Sequence, residues 1–159
     1  MLRAALLASA FVPALGLAAL AATATGTFTV QLTIQGGCSV LTPATLNFGT
    51  LISLTTNTDQ QSTFQVNCTN TTPYTIGLDA GVNGGTTAAR LMKSGSATVS
   101  YALYQDSART TLWGNGPSDV VSATGAGVAQ TYTVYGRVPA QPTPAPGTYT
   151  DTITITVSY

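Results

Sequence analysis

The side chains able to do chemistry in this chain are few. Histidine is absent, and the ionisable inventory is five Lys+Arg against five Asp+Glu. General acid–base work would therefore fall to Asp, Lys or Tyr. Asp79 and Asp106 are the one pair to consider as facing carboxylates of the kind used in glycoside hydrolysis. Both sit at the ends of strand-like segments, where Asp commonly serves turns, and turn duty is the reading they favour. Ser96, Ser100 and Ser107 have no base within the sequence pattern to activate them. The expectation is that the chain is not an enzyme. Two cysteines, Cys38 and Cys68, remain. They are not spaced as C-x-x-C and have no histidine or clustered thiol beside them, which argues against a redox pair and against a metal site. Trp113, with Tyr101 and Tyr104 nearby in sequence, is a candidate stacking platform for carbohydrate, against the ordinary role of strand aromatics in filling a core.

The N-terminus sets the compartment. Arg3 precedes the apolar run LLASAFVPALGLAALAA, and Ala19/Ala21 or Ala22/Ala24 offer small-residue cleavage patterns. Residues 1–24 read as a cleaved secretory signal peptide. A retained membrane anchor is the alternative, because the run approaches spanning length, but Ser9, Pro13 and Gly16 disfavour it. Behind an export signal, Cys38 and Cys68 are expected to form a disulfide, worth about 3–4 kcal/mol in the chain-entropy model. Loss of Arg3 leaves the mature chain one charge negative. That excludes a nucleic-acid binder, which needs a basic face. The low charge also removes a barrier to self-association.

The elements that would position these residues are strands. No helical period appears after the signal. Alternation marks 26–35, where Phe28, Val30, Leu32 and Ile34 share one face and Thr27, Thr29, Gln31 and Thr33 the other. Further strand patterns lie at Leu46–Phe48, 62–68, 74–80, 97–106, 129–138 and 148–159. Gly- and Pro-rich breaks fall at 81–85, 113–117 and 139–147. Short strands at this spacing argue for an all-β sandwich or barrel, with an immunoglobulin-like sandwich favoured. In the last segment Ile153, Ile155, Val157 and Tyr159 face one way, and Thr152, Thr154, Thr156 and Ser158 the other. A patterned strand thus stands at each end of the mature chain. Segment 26–38 either opens its own sandwich or is an arm that completes a neighbour's sheet by strand addition. Gly36-Gly37 suits both, as a turn or as a free joint.

The order of motifs goes further. The patterned arm runs into GGCSV. LNFGTL, FQVNCT, PYTIGLDAGVN, SYALYQDSARTTLWGNG, TVYGRVPAQ and PAPGTYTDTITITVSY follow. In that order, from about Thr25 to Tyr159, the chain resembles the spore coat protein U domain family, which includes pilin subunits of archaic chaperone–usher pili. The resemblance implies an incomplete immunoglobulin-like β-sandwich, completed by donor-strand exchange. It implies a domain plan of signal peptide 1–24, donor-strand arm 25–37 and pilin domain 38–159. Phe28, Val30, Leu32 and Ile34 would be the donor side chains. Ile153, Ile155, Val157 and Tyr159 would belong to the strand flanking the acceptor groove. Cys38 and Cys68 match the family's disulfide cysteines. The implied partners are a periplasmic pilus chaperone, an outer-membrane usher, further copies of the same chain, and tip or minor pilins. No cofactor, metal or nucleic acid is implied. The implied location is the cell surface, in a pilus reached through the periplasm. A spore or cell-surface coat protein and a secreted carbohydrate-binding or adhesive module are the alternatives. Asn67-Cys68-Thr69 and Asn70-Thr71-Thr72 match the N-glycosylation pattern, which a Thr-rich chain produces by chance.

Overall fold

The structure, a computed structural model, describes residues 21–159; residues 1–20, most of the expected 1–24 signal peptide, lie outside the described residues. Residues 1–33 and 34–159 are separate units. Residues 21–33 carry no strand assignment and every one is exposed, including Phe28 at 88%. Alternation therefore gives 26–35 an extended backbone but no ladder, because a period of two fixes which face is apolar and says nothing of the partner.

Residues 34–159 fold as two antiparallel sheets with no helix. The strands are β1 (Cys38–Leu41), β2 (Thr58–Cys68), β3 (Pro73–Leu78), β4 (Arg90–Ser94), β5 (Ala97–Tyr104), β6 (Val121–Thr124), β7 (Ala129–Val138) and β8 (Ile155–Ser158). One sheet has the order β1-β2-β7-β5-β4 and the other β6-β3-β8. This all-β sandwich answers the sequence pattern at β2, β3, β5 and β7. Their inward residues Phe64, Val66, Ile76, Leu78, Val99, Leu103, Val134 and Val138 are buried and form the core.

Three strands escaped the pattern. β1 and β6 are four-residue edges with mostly exposed side chains, too short for a period to register. β4 hides its only fully buried residue behind a charge. Arg90 is 0% exposed, and it donates to the carbonyls of Leu78, Asp79, Thr87 and Trp113 at 2.7–3.0 Å. A hydropathy reading sends arginine to the surface; here the fork of N–H donors is spent on four backbone acceptors instead. In the other direction, Leu46–Phe48 and 148–154 read as strand but hold no ladder beyond a single Lys93–Thr150 bridge.

The Trp113 loop ties the two sheets together. Trp113 is buried, its ring near Phe64, and its indole N–H donates to Ile76 O at 2.9 Å. Its backbone N–H donates to Leu103 O, and Gly114 O accepts from Leu78 N–H. The carbohydrate-platform reading of Trp113 and Tyr101 is thereby corrected, since both rings are core. The Cys38–Cys68 disulfide acts within the larger sheet, where it joins directly opposed residues of its neighbouring strands β1 and β2.

Replacing Arg90 by Met leaves four carbonyls without their donor. The expected loss is at least ~3 kcal/mol. Arg90→Lys keeps the charge but not the fork and should fall between. Urea midpoints check this: an Arg90→Met subunit within ~1 kcal/mol of the parent would remove the arginine's structural role.

Candidate functional site

The folded unit carries a mostly apolar groove of about 1110 Å³. One wall is the irregular segment 43–54 and the other is segment 143–155. The floor is Phe64, Leu78, Val99, Tyr101, Leu103, Val134 and Val138. β1 and β8 are terminal strands of their respective sheets. Among the described residues no strand is hydrogen-bonded to the outer edge of β8.

Each wall is held by specific contacts. Gly136 in β7 allows Leu46 and Phe48 to settle on the sheet, since a Cβ there would meet both side chains at 2.9 Å. Phe48 then packs edge-on to Tyr101, ring centroids 6.3 Å apart. At the far end Leu54 N–H donates to Thr143 Oγ1 and Leu54 O accepts from Gln141 N–H, at 2.9 and 2.8 Å. The two walls are thus stapled together beside the Pro-rich connector. Gln141 in turn bonds both backbone groups of Ser100 in β5.

The opposite wall hangs on two carboxylates. Asp151 accepts from the Tyr101 hydroxyl at 2.7 Å, and from Val82 N–H and Asn83 Nδ2 at 3.0 Å. Gly81, at φ +80°, leaves room for that carboxylate, which an added Cβ would strike. Asp79 accepts from the N–H groups of Gly81 and Thr154, both at 3.0 Å. Burial alone would raise its pKa, but those hydrogen bonds and the nearby Arg90 hold it below the ordinary value. Asp106 accepts from the N–H groups of Thr110 and Thr111 and serves a turn. The two carboxylates weighed as a catalytic pair are both committed to local backbone. Burial, followed by the Asp151 hydrogen bond, pushes the Tyr101 hydroxyl strongly upward, so it stays a donor.

The residues singled out from the sequence distribute as follows. Ile153 and Ile155 line the groove. Val157, opposite Ile76 in β3, packs against the core beyond the groove's lining. Tyr159 lies past the end of β8, largely exposed, beside Gly37, Cys38 and Cys68. The groove's lining takes in Phe64 of β2 and Leu78 of β3 but neither Val66 nor Ile76, so the groove lies toward the Leu54 end of the sandwich, away from the disulfide. Phe28, Val30, Leu32 and Ile34 are all exposed. The positioning residues Arg90, Asp151 and Asn83 were missed. The GTYTD opening of the last segment was the available cue, since a carboxylate followed by alternating apolar residues has a reason to be fixed.

The comparisons agree with this architecture. A family model described as the Spore Coat Protein U domain matches residues 24–156. The chain is 34% identical over 155 residues to Protein U of Myxococcus xanthus, covering 87% of each. Among solved structures it is similar to a chain of the CsuC–CsuE chaperone–tip adhesion subunit pre-assembly complex from archaic chaperone-usher Csu pili of Acinetobacter baumannii. That match has a TM-score of 0.61 and 26% identity over 80% of this chain, and spans 41% of the solved chain.

Two outcomes follow from the groove's chemistry. Asp151→Ala strands the buried Tyr101 hydroxyl and should cost about 1–3 kcal/mol, with Tyr101→Phe in the same background recovering part of it. The urea midpoints of the two variants decide. The pKa of Asp79 is depressed on folding, as is that of Asp59, where the Arg137 hydrogen bond is the main cause. Stability from a depressed carboxylate is present above its unfolded pKa and disappears as pH falls through the folded one. Urea midpoints should therefore hold from neutrality to about pH 4 and fall below it, less steeply in Asp79→Asn, whose starting stability is lower.

Proposed function

The chain belongs to the Spore Coat Protein U domain family, and from that premise we propose that it is a structural subunit of a surface pilus built by the chaperone–usher route. The observation that carries the reading is a pair of complementary halves. An apolar groove opens beside Ile153 and Ile155, where the unpaired edge strand β8 begins, and an exposed arm alternates large apolar side chains with Thr and Gln. The arm of one copy fills the groove of the next. Phe28, Val30, Leu32 and Ile34 enter the cleft, and the arm's backbone adds a strand to β8.

The energetics suit a non-covalent filament. Burying four large apolar side chains is worth roughly 6–12 kcal/mol gross, with ordering of the arm offsetting part of it. Before assembly the groove needs another occupant, and a periplasmic chaperone lending a strand meets that need. An usher at the outer membrane would then exchange that strand for the next subunit's arm. Export through the periplasm also suits the disulfide, which forms in an oxidising compartment. The family description and the Myxococcus relative favour a spore-coat role as the second reading, in which the same exchange would link a coat rather than a fibre.

The test is co-expression of the mature chain with its chaperone in the periplasm, beside a form lacking residues 25–36. After chaperone release, the full chain should form fibres by negative-stain microscopy, and the truncated chain none. Leu32→Ser in the arm should weaken each junction by about 1.5–3 kcal/mol, lowering the temperature at which fibres dissociate. A full chain that stays a stable monomer, and unfolds on truncation, would show the arm to be its own first strand.

A further inference from the structure

Two Asn-Gly dipeptides stand in this chain, Asn83-Gly84 and Asn115-Gly116. Asparagine before glycine is the pairing most prone to self-modification, because glycine has no side chain to keep its nitrogen away from the neighbouring amide carbon. Both pairs lie in irregular loops, and among the described residues neither Asn–Gly peptide unit holds a backbone hydrogen bond. The two side chains differ. The Asn83 amide nitrogen donates to Leu91 O, Thr150 O and Asp151 Oδ1 at 2.9–3.0 Å, which pins the carboxamide between β4 and segment 143–155. Asn115 is exposed, and among the described residues nothing bonds its side chain. It rests on β3 by its Cα and Cβ, both 3.2 Å from where a Cβ on Gly77 would stand.

We infer that Asn115 is a site of spontaneous deamidation and that Asn83 is held out of the same reaction. The Gly116 nitrogen gives its proton to hydroxide and attacks the side-chain carbonyl carbon of Asn115. A C–N bond forms, the bond to the side-chain nitrogen breaks, and ammonia leaves. The cyclic succinimide then takes up water. Opening on one side gives aspartate; opening on the other gives isoaspartate, whose chain runs through the former side-chain carbon. Asn83 must first shed its three hydrogen bonds. At ordinary strength their combined loss slows the reaction at least about tenfold. The position of Asn115 gives the change a structural effect. Gly114 O accepts from Leu78 N–H and Gly114 N–H donates to Asp119 O, on the loop that carries the buried Trp113. Asp119 Oδ1 lies 2.9 Å from where a Cβ on Gly116 would stand, and it is buried with no hydrogen-bond partner among the described residues. Isoaspartate inserts a methylene into the backbone at this point, and either product adds a negative charge to the loop that holds the Asp119 carboxylate. The tie between the two sheets therefore loosens with age. The inference is independent of strand exchange and holds for a fibre and a coat alike.

The experiment is peptide mapping by mass spectrometry of the folded mature chain, incubated at mildly alkaline pH, beside the same chain unfolded in guanidinium chloride. In the folded chain, aspartate and isoaspartate should accumulate at position 115, isoaspartate in excess, and at least about tenfold more slowly at position 83. In the unfolded chain the two positions should convert at comparable rates. Asn115→Gln, whose longer side chain closes the ring poorly, should leave position 115 unconverted. Aged parent subunits should unfold at a lower urea midpoint than Asn115→Gln subunits aged alongside them, and equal midpoints would overturn the loosening of the loop. Conversion at 83 as fast as at 115 in the folded chain, or conversion at 115 only after unfolding, overturns the site itself. A ratio that stays the same in guanidinium overturns the protection assigned to the Asn83 hydrogen bonds.

Discussion

The outer edge of β8 has backbone donors and acceptors and no strand to receive them. Most of the molecule can be understood as a response to that gap. An exposed edge beside apolar side chains is a standing invitation to pair with another chain. Proteins usually blunt such edges with charge, proline or a covering loop. Here the edge presents Thr152, Thr154, Thr156 and Ser158 outward, while Ile153, Ile155 and Val157 turn toward the core. That alternation carries no charge and no proline to discourage a partner strand.

An open groove has to keep its shape without its filler, and the polar network explains how. Arg90 fixes four carbonyls under the floor, Asp151 fastens one wall to Tyr101, and the Leu54–Gln141–Thr143 staple joins the walls at one end. Burying a guanidinium is expensive unless every donor is used. Asp79, Asp119 and Asp151 stand near enough to offset its charge. The cleft is therefore preorganised by hydrogen bonds where a complete sandwich would rely on apolar packing alone. Preorganisation lowers the ordering cost that binding a strand incurs.

The sequence was legible where side-chain periodicity and burial coincide. β2, β3, β5 and β7 are flanked by sheet neighbours and packed on one face, so alternation gave them away. The disulfide was legible from two cysteines behind a segment that reads as an export signal. β4 was not, because its buried residue is an arginine whose partners are backbone carbonyls, and those leave no trace in composition. The arm and residues 148–154 were legible as alternating segments but not as ladder: the arm holds no strand, and 148–154 only the Lys93–Thr150 bridge. The groove itself is a property of what two distant segments, 43–54 and 143–155, leave between them. The order of motifs pointed to it; no local pattern did.

The disulfide has a mechanical consequence. Tension along a filament of such subunits would enter each one through the arm, at Gly37 and Cys38. β1 is only four residues long and would be the first element to peel from its sheet. Cys38 lies directly opposite Cys68 and is covalently joined to it, so the load bypasses β1 and passes into β2. β2 pairs along almost its whole length with β7, the central strand of the larger sheet. Pull would thus reach the longest strand of the fold. Under strain, the first link to give would be the strand seated in the groove, which can seat again, and not the subunit's own fold.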